Sequence, residues 1–191
     1  MTDVVKKERI SASAVTNHIL NIDIVKGKIT NLHLNKILYF IDGFSLAING
    51  VSIKNEDDGE FMQAWQYGPV IPSIYHEFKH YKSDAIPNET RSICAIETDT
   101  EGTKYYIPTL PSSSEVIKIS DWVVNVLLKE DNKDEIMSAE DLVNITHVEG
   151  SPWYQVYKPN KKSIEIDNDR MKEYFIWYRD WLSNNRGLKY C

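Results

Sequence analysis

The sequence predicts a predominantly helical α+β domain, with about six helices around one core and a few short antiparallel strands. Three observations carry this reading. Apolar residues recur at three- and four-residue spacing over several long stretches, the mark of amphipathic helices. Those stretches begin at Ser, Thr, Asp or Asn residues placed to cap a helix. Between them lie only brief runs bearing Val, Ile, Tyr and Trp, bounded by turn residues, which suit short strands. A chain of 191 residues can bury one sizeable core and is read as a single domain.

In chain order, residues 1–10 read as a charged, frayed lead. Ser11 or Ser13 can cap a first helix carrying Ala14, Val15, His18, Ile19 and Ile22, which Gly27 stops. Thr30 or Asn31 caps a second helix whose main face is Leu34, Ile37, Leu38, Ile41, Phe44, Ser45 and Ile48. Leu32, Tyr39 and Leu46 lie on one flank, Phe40 and Ala47 on another. A helix apolar nearly all round is central and buried, so this one is expected to be the core of the fold. Lys36 and Gly43 lie between the flanks. Removing a lysine's charge from water is costly, so its stem is expected to pack while the ammonium snorkels out; the alternative is a paired lysine at a cleft or partner surface.

Residues 51–63 suit a short strand and an acidic loop, followed by a second strand through Ala64–Tyr67. Gly68-Pro69 is expected to turn the chain, because glycine permits unusual backbone geometry and proline fixes the next φ. Pro72 suits a first helical turn. Ile71, Ile74, Tyr75, Phe78 and Tyr81 then form one apolar stripe. The result is a rigid aromatic corner that aims Trp65 and Tyr67, usable as core or as binding surface, with Trp65 expected in the core.

Ser92–Glu97 and Lys104–Pro108 read as a hairpin around Asp99–Gly102. Ser112–Ser114 with Glu115 begins a helix through Val116, Ile117, Trp122, Val123 and Leu127, and Asp131–Asp134 is a charged break. Ser138 opens a helix with Leu142, Ile145 and Thr146 that ends near Gly150, before Pro152-Trp153. Asp167 or Asn168 caps a last, aromatic helix carrying Met171, Tyr174, Phe175, Tyr178, Trp181 and Leu182, with Gly187 as its end signal. Its aromatics are expected to face inward.

Composition excludes several classes of function. A hydrophobic share of 42% and a charged share of 26% are those of an ordinary soluble globular chain. No run is long and apolar enough to span a membrane, and MTDVVKKERI lacks a signal peptide's apolar stretch. Cys94 and Cys191 share no metal-type spacing, which fits a reducing cytoplasm. A net charge of −6 argues against a grip on nucleic-acid phosphates. Lys158, Lys161 and Lys162, the notable basic cluster, read as a solvated loop.

One motif suggests chemistry. His76-Glu77-Phe78-Lys79-His80 matches H-E-x-x-H, which on a helix offers two zinc-binding imidazoles and a glutamate base. On a helical wheel, however, His76 and His80 project roughly 150° from the apolar stripe, toward solvent. Lys79 would also place a cation beside the metal, and neither Glu140 nor His147 is required as a third ligand. No nucleophile elbow or phosphate-cradling loop is present, and His18, His33 and His147 are isolated. Glu140 and Asp141 most simply serve a helix N-terminus. The chain is expected to be no enzyme, with no catalytic residues, no metal and no cofactor; a zinc metallopeptidase using His76, Glu77 and His80 is kept as an alternative.

Three blocks carry a family resemblance: LNKILYFIDGFSLAING (Leu34–Gly50), AWQYGPV with the helix after it (Ala64–Lys79), and Asp141-Leu142 through Thr146-His147 to Pro152-Trp153. In this order and spacing they resemble the Panacea domain of SocA-like antitoxins, also found in many prophage proteins. The resemblance implies a Panacea-like domain over residues 10–157, with residues 158–191 forming an aromatic helix and tail packed on the same domain. It further implies a cytoplasmic antitoxin that neutralises a cognate toxin encoded nearby by direct protein binding, with the gene on a prophage or mobile element. As an alternative, it implies a proteolytic adaptor that delivers a toxin to a cellular protease. The candidate partner-binding residues are Lys36, Tyr39, Trp65, Tyr67, Gly68, Pro69 and Tyr75.

Overall fold

The computed structural model describes residues 11–54, 60–92, 95–98, 100–131 and 133–190, with residues 95–98 and 104–107 described by their backbone. The expected charged lead, the centre of the acidic loop and Asp99 lie outside these residues. Among the described residues, seven α-helices and two small antiparallel sheets make up the fold. No described helix is long and apolar enough to cross a membrane.

Helix α1 (Ala12–Ile19) starts where Ser11 accepts a hydrogen bond from the Ala14 N–H. It ends at Ile19, short of Gly27, and turns carry the chain through Leu20–Lys28. Its Asn17 side chain donates to the Ser92 and Thr109 carbonyls and accepts from the Ser92 N–H, so one amide ties α1 to the two ends of the hairpin segment. Helix α2 (Asn31–Asn49) is capped by Thr30 and stops at Gly50. It is the axis of the fold and packs against α1, α3, α4, α5, α7 and β2, the elements that make its all-round apolar surface useful.

Strands β1 (Met62–Trp65) and β2 (Gly68–Val70) form a hairpin around Gln66-Tyr67, so Gly68-Pro69 lies inside a strand instead of making the turn. No strand forms at residues 51–53; there the Ser52 hydroxyl and the Ile53 N–H bond to the Asp42 carboxylate. The second partner of β1 is β5 (Ile164–Ile166), with Met62 opposite Ile166. Helix α3 (Pro72–Phe78) passes into a 3₁₀ turn over Lys79–Tyr81. Strands β3 (Ala95–Thr98) and β4 (Lys104–Ile107) pair as a separate hairpin.

Helix α4 (Ser114–Trp122), capped by Ser113, continues as a π-helical turn over Val123–Leu127. Helix α5 (Ala139–Thr146) ends four residues before Gly150. A separate short helix, α6 (Pro152–Val156), then starts at Ser151, with Pro152 in its first turn. Helix α7 (Asn168–Arg186), capped by Asp167, runs along α2.

The α2–α7 contact is set by Gly43. A Cβ there would sit 2.2 Å from the Phe175 ring, so the missing side chain is the notch that admits Phe175. The ring lies edge-on to Tyr39 at 5.3 Å, Phe40 at 5.9 Å and Phe44 at 5.0 Å, a favoured aromatic geometry. The expectation that α7 turns its aromatics inward therefore holds for Phe175 and in part for Tyr174 and Tyr178, which pack half-buried against the core, but not for Trp181, which is exposed. A buried ion pair fixes the same contact from one end. The Lys54 ammonium meets Asp42 at 2.7 Å, with neither side chain exposed, and also donates to Asn168 at the start of α7.

Candidate functional site

Lys36 is the centre of the site. Its side chain is fully buried, and its Nζ donates to the Pro69 carbonyl at 2.9 Å. The snorkelling expectation is overturned, because α2 is enclosed on the very flank where the ammonium would have emerged. The partner is a carbonyl oxygen instead of a carboxylate. Burial without a counter-charge penalises the ammonium and brings the Lys36 pKa down from 10.5 to about 7. A neutral amine keeps N–H donors, so the bond to Pro69 does not depend on the charge.

Gly68 makes room for that amine. It holds φ +98°, a conformation that residues with a Cβ resist. A Cβ there would also lie 2.8 Å from Lys36 Cε, 2.9 Å from Lys36 Nζ and 2.8 Å from Thr146 Oγ1. Pro69, next along, brings no N–H to the outer strand of the sheet, and its carbonyl takes the lysine. Asn35, one residue before Lys36, accepts from the Ile71 N–H, and Asn31 donates to the Tyr75 carbonyl. The first turns of α2 thus hold the hairpin and α3 along one line.

The end of α5 closes the site. The buried Ser151 hydroxyl donates to the Thr146 carbonyl, turning the chain so that Trp153 comes back over it. Trp153 stacks on His147 at 3.6 Å and donates through Nε1 to the Trp65 carbonyl at 2.8 Å. His147 Nε2 is buried with no hydrogen-bond partner among the described residues. Burial, and secondarily the charge of Lys36, holds its pKa below the usual histidine value.

The sequence-derived site residues therefore divide. Lys36, Gly68 and Pro69 come together, but as a buried clamp. Tyr39 is 1% exposed, ringed by Phe40 and Phe175, so it is corrected from a partner contact to a core residue. Burial first, then Tyr174 and Tyr178, raise its hydroxyl well above the ordinary tyrosine pKa. Trp65 is half-buried instead of core; its Nε1 donates to Gln63, and its ring meets Tyr75 at 4.7 Å and His76 at 6.0 Å. Tyr67, at the hairpin tip, is 65% exposed. The clamp is inside, and the accessible aromatics are Tyr67 with parts of Trp65 and Tyr75.

The H-E-x-x-H residues are not assembled as a metal set. Helix α3 ends at Phe78, so His80 sits on the 3₁₀ turn, where its Nδ1 bonds the Glu77 carbonyl and its ring lies on Tyr81. Glu77 accepts from the Ser92 hydroxyl. No group of three or more His, Cys, Asp or Glu among the described residues is placed to hold a metal. Sequence reasoning placed Thr146 on its helix and in the closing block without a part in the site, and missed Ser151 and the Asp42–Lys54 pair. The signal for the last was a lone aspartate inside a helix apolar on every side.

These elements define a predominantly helical α+β module in which three separated stretches lock around one buried lysine beneath an aromatic hairpin. Residues 34–154 match the family described as "Antitoxin SocA-like, Panacea domain", a span that runs from the first turns of α2 to Tyr154 in α6. The chain is also 32% identical over 150 residues to "Antitoxin SocA" of Caulobacter vibrioides (strain NA1000 / CB15N), covering 76% of this chain and 70% of that protein. The chain belongs to the SocA-like, Panacea-domain antitoxin family. No solved structure matches it.

Proposed function

We propose that this protein is an antitoxin that neutralises a cognate toxin by binding it directly in the cytoplasm, presenting Tyr67 and the accessible edges of Trp65 and Tyr75. The observation that carries the reading is the pairing of the family match with an exposed aromatic on a braced hairpin. Exposed aromatics held at low entropic cost are the anchors on which protein interfaces depend. Tyr67 meets that description, because Lys36 fixes β2 from below and Trp153 fixes the end of β1 through the Trp65 carbonyl. The function is stoichiometric, by binding and not by turnover. The toxin is encoded beside this chain, on a prophage or other mobile element.

The test is co-expression. The neighbouring gene alone should arrest bacterial growth, and this chain should restore it. The two proteins should co-purify with at least about 1,000 Å² buried between them, the lower bound for a specific interface. Tyr67→Ala should leave the melting temperature in place while weakening both rescue and co-purification. A proteolytic adaptor would give a different pattern, with the complex forming but rescue failing in cells that lack the relevant protease. A harmless neighbour and no retained partner would overturn the proposal.

A further inference from the structure

The outer face of α7 and the connection between α5 and α6 enclose an open groove of about 350 Å³ on the far side of the Phe175 notch. One wall is aromatic. Trp177 is 55% exposed, and its ring lies 5.5 Å from Tyr174, which in turn stacks on Tyr178. The other wall comes from Glu149 and Gln155, with Arg170 and Glu173 at the α7 side. Arg170 is already committed. Its Nη1 donates to Gln155, bracing α7 against α6, and its Nε donates to Asp167, which offsets its charge. The groove thus carries two carboxylates, Glu149 and Glu173, with no ion-pair partner among the described residues, beside two aromatic rings.

We infer that this groove is a receptor for one basic side chain, an arginine or lysine presented by a protein partner. The stem of such a side chain would lie on Tyr174 and Trp177, with the cation over the indole face and within reach of Glu149 and Glu173. Charge selects this occupant. The chain is −6 overall, and two unpaired carboxylates repel phosphate, which disfavours a nucleic acid. A second copy meeting this face about a two-fold axis would set Glu149 and Glu173 against their own equivalents, like charge on like. Of its lining, only Glu149 and Gly150 fall within the residues the family model covers; Gln155, Arg170, Glu173, Tyr174 and Trp177 lie beyond residue 154. The groove is thus a place where this chain can distinguish its own partner from those of its relatives. The inference rests on the antitoxin reading only in identifying that partner as the toxin.

Titration of the ¹⁵N-labelled full chain with N-acetyl-arginine methylamide, followed by the tryptophan indole N–H signals, tests it. The Trp177 signal, assigned by its loss in Trp177→Ala, should move with a millimolar dissociation constant while the other four indoles stay in place. The neutral isostere N-acetyl-citrulline methylamide should bind roughly threefold or more weakly, as should arginine amide to the Glu149→Gln/Glu173→Gln variant, because both lose the charge-assisted contact. High salt should weaken the arginine titration and leave the citrulline one unchanged. Equal binding of the two amides, or an unaltered titration in the double variant, would overturn the inference. Movement of the Trp177 signal with protein concentration alone would also overturn it, by showing that a second copy occupies the face. The titration contains no toxin, so its failure and the failure of growth rescue are separate results.

Discussion

Replacing Lys36 by Met should abolish a specific pH dependence of stability. The lysine is fully buried against a carbonyl oxygen, with its pKa lowered from 10.5 to about 7, so above pH 7 the unfolded chain binds the proton that the folded chain has released. Stability must then rise with pH, from neutrality toward the unfolded value of 10.5. Integrating between those two values gives about 2 kcal/mol gained between about pH 7 and pH 9, out of roughly 5 kcal/mol in total. Below about pH 7 the lysine is protonated in both states and adds no further slope. His147, whose pKa is lowered, acts in the same direction, destabilising the fold as pH falls through the ordinary histidine range. Above about pH 10 the buried Tyr39, with its raised pKa, reverses the trend, because the unfolded chain then loses a proton that the folded chain keeps. The assay is urea denaturation at half-unit intervals from about pH 6 to pH 9, for the parent and for Lys36→Met, which keeps most of the stem. The two curves should converge in slope below neutrality and diverge by about 2 kcal/mol by pH 9. Parallel curves across the whole range would refute the buried, uncompensated lysine.

Three further outcomes follow from the same geometry. Gly68→Ala combines a strained positive φ with displacement of the Lys36 head and should cost about 3 kcal/mol in denaturant; a loss under about 1 kcal/mol would mean that the clamp relaxes freely. Asp42→Ala strands the Lys54 ammonium in the interior and should cost about 3–5 kcal/mol, whereas a near-neutral result would show that Lys54 reaches water. Replacing His76 and His80 together by Ala should change stability by less than about 0.5 kcal/mol each, and metal analysis of the parent should find no stoichiometric zinc; zinc present in the parent and absent from the variant would revive the peptidase alternative.

Local rules were legible wherever the cause was local. Thr30, Ser138 and Asp167 cap the helices their positions suggested, and the all-round apolar pattern of α2 marked the core correctly. Elements made by distant partners were not legible. Strand β5 is three residues long and exists because β1, about a hundred residues earlier, offers it an edge. The turn was misplaced because Gly68-Pro69 carries turn chemistry, yet Gly68 is glycine to make space for a lysine from another element. Lys36 itself was misjudged by weighing the residue's preference for water above the enclosure of its helix. The aromatic stripe of α7 points inward when read from its spacing, and periodicity alone does not say which of its aromatics the core admits. Phe175 fills the notch that Gly43 leaves it, while Trp177 and Trp181 meet Tyr174 and Tyr178 on their own helix and stay exposed.

That notch bears on where this protein can be cut. The family model stops at residue 154, but the wedge filling the groove of the central helix arrives only with α7. A chain trimmed at residue 157 would keep every residue of the lysine clamp and still lose its lid. Tyr39, Phe40 and Phe44 would face water along one open seam, and the Lys54 ammonium would lose its contact to Asn168. Such a fragment should aggregate or stay partly molten despite containing the whole recognisable domain. For grafts and chimaeras between relatives, the last helix therefore has to travel with the helix that carries Gly43.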